Sequence, residues 1–95
     1  MTARETAERH AQKVVAGDMA GVMADVIPEV AAALGPLAEV LGKIQPKTCQ
    51  ILSEKLEGDK VVIQFKVTGQ GGELTVDDTW QEINGVWKVV KSQPV

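Results

Sequence analysis

The feature that most constrains the fold is the stretch Thr79–Val90, which reads TWQEINGVWKVV. Two apolar-rich arms flank Asn84-Gly85, and each arm carries one of the two tryptophans of the chain, Trp80 and Trp87. Asn-Gly favours a two-residue type I′ hairpin, because both central residues of that turn need φ > 0. A turn of fixed length also sets which residues face each other, so this stretch predicts the register of a sheet.

The remainder of the second half also alternates with a period of two and is divided by turn residues at Gly58-Asp59 and Gln70-Gly71. We therefore predict four strands, at residues 47–57, 60–69, 72–83 and 86–94. The first half has helical periodicity and predicts helices at residues 2–16, 18–26 and 28–42. Thr2 and Glu5 form a capping-box pattern, and Gly35-Pro36 is expected to kink or split the third helix.

Helices followed by a strand meander predict one α+β domain over residues 1–95, with the helices packed on one face of a curved four-stranded antiparallel sheet. With two-residue turns, one face of this sheet collects nearly all of its apolar side chains. In that register Trp80 faces Val89, Leu52 faces Phe65, and Cys49 points outward. The apolar face is predicted to hold Leu52, Leu56, Val61, Ile63, Phe65, Val67, Leu74, Val76, Trp80, Trp87 and Val89.

The same register places Glu54, Ile63, Asp78 and Lys91 in one row across the covered face. Because an unpaired buried charge is costly, these ionisable groups need an explanation. Asp78 and Lys91 could form an ion pair at an open end of the sheet, or a bulge could turn Asp77-Asp78 outward. Alternatively, the row lines a pocket between sheet and helices, where a carboxylate would have a raised pKa.

Composition excludes several classes of function. The net charge of −3 and the scattered lysines and arginines argue against nucleic acid as a partner. The single cysteine, Cys49, excludes an internal disulfide and a cysteine-rich metal site. With one histidine, a zinc site would have to draw mostly on carboxylates. No signal-peptide pattern and no apolar run near the ~20 residues of a membrane span occur, so we expect a cytoplasmic protein without membrane contact. No phosphate-binding or calcium-binding loop is recognisable, and no cofactor is predicted.

Two sequence patterns carry a resemblance to a known superfamily. The leading helix ends in Val15-Ala16-Gly17-Asp18, and the meander ends in W-x-x-x-x-G-x-W-x-V, formed by Trp80, Gly85, Trp87 and Val89. The chain thereby resembles the nuclear transport factor 2-like (cystatin-like) superfamily, which includes ketosteroid isomerase and the SnoaL-like polyketide cyclases. We expect the strand pair that normally lies between the second and third helices of this superfamily to be absent here or reduced to a few residues near Val26-Ile27.

This resemblance implies a cone-shaped fold that binds or transforms small apolar molecules and forms a homodimer through the outer face of the sheet. The chain has no tyrosine, so the tyrosine-based oxyanion hole of ketosteroid isomerase is not carried over. No catalytic motif of the superfamily matches residue by residue.

The sole histidine, His10, lies on the apolar stripe of the first helix. In the superfamily that the chain resembles, this helix lies across the sheet, so the resemblance implies that His10 could approach Asp78 or Glu54. A His–carboxylate pair in an apolar pocket can act as a general base, although such a histidine more often lies only at the edge of a helix–sheet interface. The candidate catalytic residues are His10, Glu54, Asp78 and Lys91. The residues predicted to line a ligand pocket are Val14, Leu34, Phe65, Val76, Trp80 and Trp87.

Three functions follow as hypotheses. The first is a module that binds a small apolar ligand or forms a homodimer. The second is a cofactor-independent isomerase, dehydratase or cyclase that uses the inward histidine and carboxylates. The third is a structural subunit whose Leu34–Leu41 helix packs on another protein.

Overall fold

A computed structural model describes all 95 residues. Four helices pack on one face of a four-stranded antiparallel sheet with strand order β1-β2-β3-β4, so the predicted α+β class is confirmed. None of the helices is long and apolar enough to span a membrane. The elements are α1 (Ala3–Ala16), α2 (Met19–Ala24), α3 (Pro28–Ala33), α4 (Gly35–Ile44), β1 (Pro46–Glu57), β2 (Lys60–Gly69), β3 (Gly72–Ile83) and β4 (Val86–Pro94).

The helix ends follow from local sequence chemistry. The Thr2 hydroxyl accepts a hydrogen bond from the Glu5 amide at 3.1 Å, and the Glu5 carboxylate accepts one from the Thr2 amide at 2.9 Å. The predicted capping box is therefore present at the start of α1. The predicted split of the third helix is also confirmed, because α3 ends at Ala33 and α4 begins at Gly35-Pro36.

The Asn84-Gly85 turn has the backbone geometry that the sequence predicts. Asn84 has φ 52° and Gly85 has φ 81°, as a type I′ turn requires. Trp80 lies opposite Val89, and both side chains are fully buried, together with Ile63 on β2. These residues form the centre of the core beneath α1.

A β-bulge in β4 changes the register beyond this point. Trp80 pairs with Val89, but Thr79 pairs with Lys91, so Val90 is the extra residue. The extra residue moves every following side chain to the opposite face. Ser92 therefore lies opposite Asp78, and Lys91 is exposed on the outer face. The prediction that Lys91 faces Asp78 is wrong.

A second bulge lies in β1. Ile51 pairs with Phe65 and Ser53 pairs with Gln64, which leaves Leu52 as the extra residue. Leu52 is consequently 49% exposed, whereas Cys49 packs against the core. The predictions that Leu52 points inward and Cys49 outward are both wrong, because a two-residue turn fixes the register only as far as the first bulge.

The segment between α2 and α3 is attached to the edge of the sheet. Val26 forms an isolated parallel bridge with Val89. The Ile27 amide donates to the Val89 carbonyl at 3.1 Å, and the Val89 amide donates to the Asp25 carbonyl at 2.8 Å. These two bonds fix the backbone of Asp25 beside α1, next to the site described below.

Candidate functional site

His10 is the centre of a polar cluster between α1 and the sheet. Its side chain is buried, and its Nδ1 lies 2.9 Å from an Asp25 carboxylate oxygen. Its Nε2 lies 3.8 Å from Asp78 Oδ2, which is an electrostatic contact rather than a direct hydrogen bond. The ring packs edge-on against Trp80, with ring centroids 5.3 Å apart, and tilted against Phe65 at 5.9 Å. These contacts fix the orientation of the imidazole.

Asp25 determines which His10 nitrogen carries the proton. Desolvation by burial raises the pKa of Asp25, but hydrogen bonds from His10 and Lys13 outweigh it, so the pKa lies below its ordinary value. Lys13 Nζ is 3.0 Å from both carboxylate oxygens. An ionised carboxylate can only accept hydrogen bonds, so Nδ1 is the donor of the neutral ring. Nε2, on the side facing Asp78, is then the free acceptor.

Asp78 has the opposite electrostatic character. Its side chain is buried, and the Ser92 hydroxyl donates a hydrogen bond to its Oδ1 at 2.6 Å. Burial raises the pKa of Asp78 above its ordinary value, because the Ser92 hydrogen bond, and the attraction of the His10 ring whenever it is protonated, only partly compensate for the lost hydration. One imidazole thus lies between two carboxyl groups whose pKa values are shifted in opposite directions, a pattern typical of acid–base assignments.

A small cavity of about 50 Å³ adjoins this cluster, between α1, α2, α4 and the sheet. Its lining is apolar except at one end, where His10, Asp78 and Ser92 meet. The apolar lining consists of Val14, Met19, Val22, Val26, Leu34, Leu37, Ala38, Leu41, Cys49, Phe65, Val67, Leu74 and Val76. The arrangement can hold a small apolar group with a hydrogen-bonding atom at the polar end. No group of three or more histidine, cysteine, aspartate or glutamate side chains is arranged to hold a metal ion.

The structure brings together two of the four candidate catalytic residues, His10 and Asp78. Glu54 lies opposite Ile63 as predicted, but it is exposed, and its Oε1 is 3.7 Å from Arg4. The prediction that Lys91 joins the covered row is wrong, because the β4 bulge turns Lys91 away. Glu54 does share that row with Ile63, but it lies at its rim, where Arg4 of α1 reaches it and its side chain stays accessible to water.

Four of the six predicted lining residues do line the cavity: Val14, Leu34, Phe65 and Val76. The two tryptophans do not. Trp80 is fully buried in the core beside His10, and Trp87 is half-buried at a separate surface depression. The inner face of the sheet extends beyond the cavity. A side chain that faces inward therefore does not necessarily line the cavity.

The sequence did not reveal Asp25, Lys13 or Ser92 as members of the cluster. Ser92 depends on the β4 bulge, and Asp25 depends on the parallel bridge at Val26, neither of which has a clear local signal. Cys49 was also missed as a lining residue. Burial, and secondarily the charge of Asp78, raises the pKa of its thiol to about 11, so it is neutral at physiological pH and unsuited to nucleophilic attack.

Comparisons with known proteins bear on the fold alone. No protein-family profile matches the chain, and no curated protein matches its sequence. The solution structure of a SEC-C motif containing protein from Rhodopseudomonas palustris is similar, with a TM-score of 0.64 at 13% sequence identity. The similarity covers 88% of this chain and 71% of that protein. The helix-and-meander architecture is therefore shared with a solved protein of very different sequence.

Proposed function

We propose that this chain binds a small, mainly apolar molecule that carries one oxygen function. The observation that supports this is the distribution of polarity in the cavity, where 13 of the 16 lining residues are hydrophobic and the three polar ones lie together. Ligand pockets typically combine an apolar lining with a few convergent polar groups. The ligand oxygen would lie at His10, Asp78 and Ser92, and its hydrocarbon part would contact the helices.

The volume of the cavity requires α4 to move when such a ligand binds. A cavity of about 50 Å³ holds little more than water, whereas pockets for drug-sized ligands measure about 300–1,000 Å³. Leu37, Ala38 and Leu41 of α4 line the cavity while remaining half-buried, and of the whole helix only Ile44 is buried. A small outward shift of α4 would enlarge the cavity without disturbing the His10 side.

The proposal is tested by titrating the protein with cyclohexanone and following methyl resonances by NMR. We expect saturable shifts at Leu37, Leu41 and Val76, and weaker binding of methylcyclohexane, which lacks the oxygen. Ala38→Leu should abolish binding by filling the cavity, whereas Ala33→Leu on the exposed side of α3 should leave it unchanged. Equal binding to both Leu variants would contradict the proposed location.

A second candidate function, acid–base catalysis, is favoured by the contact between His10 and Asp25. A neutral imidazole with Nδ1 hydrogen-bonded to an ionised carboxylate presents Nε2 as a base, and Asp25 would stabilise the imidazolium that forms. His10 Nε2 and Asp78 adjoin the same apolar cavity. Proton transfer at carbon or oxygen, as in an isomerase, dehydratase or cyclase, is the class of reaction that such a pair performs without a cofactor.

This second function predicts that the protein accelerates exchange of the α-hydrogens of cyclohexanone with deuterium in D₂O. His10→Gln should reduce that acceleration by about 10²–10⁴-fold, the usual contribution of a general base. Asp59→Asn, at an exposed carboxylate in the turn between β1 and β2, is the control. Binding without exchange would leave the ligand-binding function standing and exclude this reaction.

Membership of the nuclear transport factor 2-like superfamily is part of the same proposal. Its support is the order of helices and strands, the reduced strand at Val26, and a cavity between helices and sheet. Homodimer formation and a cytoplasmic location remain predictions from the sequence. Size-exclusion chromatography with light scattering would test the dimer directly.

A further inference from the structure

A second depression, of about 290 Å³, lies on the surface on the other side of the His10 cluster. It shares no lining residue with the apolar cavity. Asp25 lines the depression and also accepts a hydrogen bond from His10 Nδ1, and His10 lines the apolar cavity, so this pair of side chains connects the two sites. The lining consists of Met1, Thr6, Arg9, Lys13, Asp25, Gly85, Val86 and Trp87.

The depression has an excess of positive charge on a chain whose net charge is −3. Arg9 and Lys13 project from one face of α1, since they are four residues apart. Asp25 is the only carboxylate in the lining, and both of its oxygens already contact Lys13. Arg9 is exposed and has no carboxylate within ion-pair distance. The pKa of the Glu5 carboxylate, on the same helix, is lowered mainly by the hydrogen bond that it accepts from the Thr2 amide and also by the charge of Arg9. The Arg9 guanidinium thus has no direct ion pair to break when it meets an external anion.

The opposite wall is apolar and aromatic. Trp87 is half-buried and lines this wall, whereas the side chain of Val86, the preceding residue of β4, points to the opposite face of the strand. The type I′ turn places the start of β4 beside α1. A flat hydrocarbon group could cover Trp87 while a carboxylate reaches Arg9, and guanidinium binds carboxylate in a bidentate geometry.

We propose that this depression binds a small aromatic carboxylate. The carboxylate pairs with Arg9, and the ring packs against Trp87. The volume is close to the lower limit of about 300 Å³ for small-molecule pockets, which suits a ligand with a single ring. The site is separate from the cavity of the proposed function, and neither proposal requires the other.

The test is a titration of the protein with benzoate, monitored through the indole N–H resonance of Trp87 by NMR. Because Trp80 is fully buried, its indole signal provides an internal reference within the same spectrum. We expect a saturable shift with a Kd of about 1 mM, a typical affinity for a fragment-sized ligand. Benzamide and benzylammonium, which keep the ring but lack the negative charge, should bind at least fivefold more weakly, as expected for loss of one exposed ion pair.

Arg9→Gln should weaken benzoate binding about five- to tenfold, because it removes a charge-assisted hydrogen bond. Arg4→Gln is the matched control, since Arg4 lies on the same helix but contacts Glu8 and Glu54 away from the depression. The proposal is overturned if the Trp87 resonance does not shift up to about 20 mM benzoate, well above the expected Kd. Equal binding of benzamide, or an equal effect of Arg4→Gln and Arg9→Gln, would overturn it as well.

Discussion

Helices α1 and α4 cover the same face of the sheet, but they are packed very differently. α1 buries five residues, three of them alanines, and its small side chains let it lie close to the strands. α4 buries only Ile44, although Leu37, Ala38 and Leu41 also face inward. The comparison shows that an amphipathic pattern alone does not determine how tightly a helix packs, because the size of the inward side chains sets how closely it can approach.

The difference divides the molecule into a fixed side and an adjustable side. His10, Asp25 and Trp80 lie on the fixed side, where hydrogen bonds and ring contacts orient them. The cavity lies toward the adjustable side, where three half-buried residues of α4 form part of its wall. Rigid support for the polar groups together with a wall that can move is the combination that a ligand-binding site needs.

The largest loss of stability is expected from truncating a fully buried side chain on the fixed side of the molecule. Ile63→Ala removes a fully buried side chain beneath α1 and should lower the free energy of unfolding by about 3–4 kcal/mol. Leu37→Ala on α4 should cost only about 1 kcal/mol, because that side chain is half-buried and its neighbours can shift. Urea denaturation of both variants measures the difference. Equal losses would show that the two helices are equally well packed.

The second-largest loss of stability is expected where the C-terminal end of α4 contacts the turn between β2 and β3. The Gly71 amide donates to the Ile44 carbonyl at 3.0 Å, and a Cβ at Gly71 would clash with the backbone carbonyl of Lys43. Gly71→Ala should therefore destabilise the protein by about 1–3 kcal/mol, since backbone rather than a flexible side chain must move. Gln70→Ala, in the same turn and exposed, is the control and should change stability little.

The third-largest loss of stability is expected when the hydrogen bonds of Asp25 are removed. Asp25→Asn removes the ion pair with Lys13 and weakens the bond to His10 Nδ1, so we expect a loss of about 1–2 kcal/mol at neutral pH. The folded pKa of Asp25 is lowered, so its contribution is present above the ordinary aspartate pKa and disappears as pH falls through the folded value. Thermal unfolding at neutral and acidic pH should therefore show the mutational loss only at neutral pH. Asp59→Asn, at an exposed position, should show no such dependence.

Asp78 should show the opposite pH dependence. Its folded pKa is raised, so the folded state holds a proton that the unfolded state releases, and stability declines as pH rises from the ordinary aspartate pKa through the folded value. Asp78→Asn keeps an acceptor for Ser92 but removes this titration. The variant should thus gain stability relative to the unmodified protein between acidic and neutral pH. Parallel pH profiles for the two proteins would contradict the burial of the Asp78 charge.

The sequence predicted those parts of the fold that depend on local chemistry. The capping box, the Asn84-Gly85 turn and the break at Gly35-Pro36 each follow from residues within a few positions of one another. The register was correct near each turn and failed beyond the bulges at Leu52 and Val90. A bulge depends on how the strand must bend against the layer above it, which no short segment encodes.

Only those residues of the candidate site could be predicted that lie on a helix or on a strand segment without a bulge. Helix periodicity places His10 on the apolar stripe of α1, and the register places Asp78 on the inner face of the sheet. The superfamily resemblance implies that this helix crosses the sheet, and the two side chains lie 3.8 Å apart. Asp25 and Ser92 depend on a parallel bridge and a bulge, so they were not found. The sequence predicted Lys91 opposite Asp78, where the structure has Ser92. The predicted ion pair between Asp78 and Lys91 is therefore absent, and Asp78 instead accepts a hydrogen bond from the Ser92 hydroxyl.

The smallest effect is a gain of stability on the adjustable side. Gly42 lies within α4 at a negative φ, and a Cβ there would meet no neighbouring atom. Gly42→Ala should stabilise the protein by about 0.5–1 kcal/mol through higher helix propensity and lower entropy of the unfolded chain. Gly71 lies 29 positions further along the chain, in the turn that contacts the C-terminal end of α4, and Gly71→Ala should instead lower the stability of the protein. If Gly42→Ala also weakens cyclohexanone binding, the wall of the cavity opens by local fraying of α4. If binding is unchanged while stability rises, α4 moves as an intact helix.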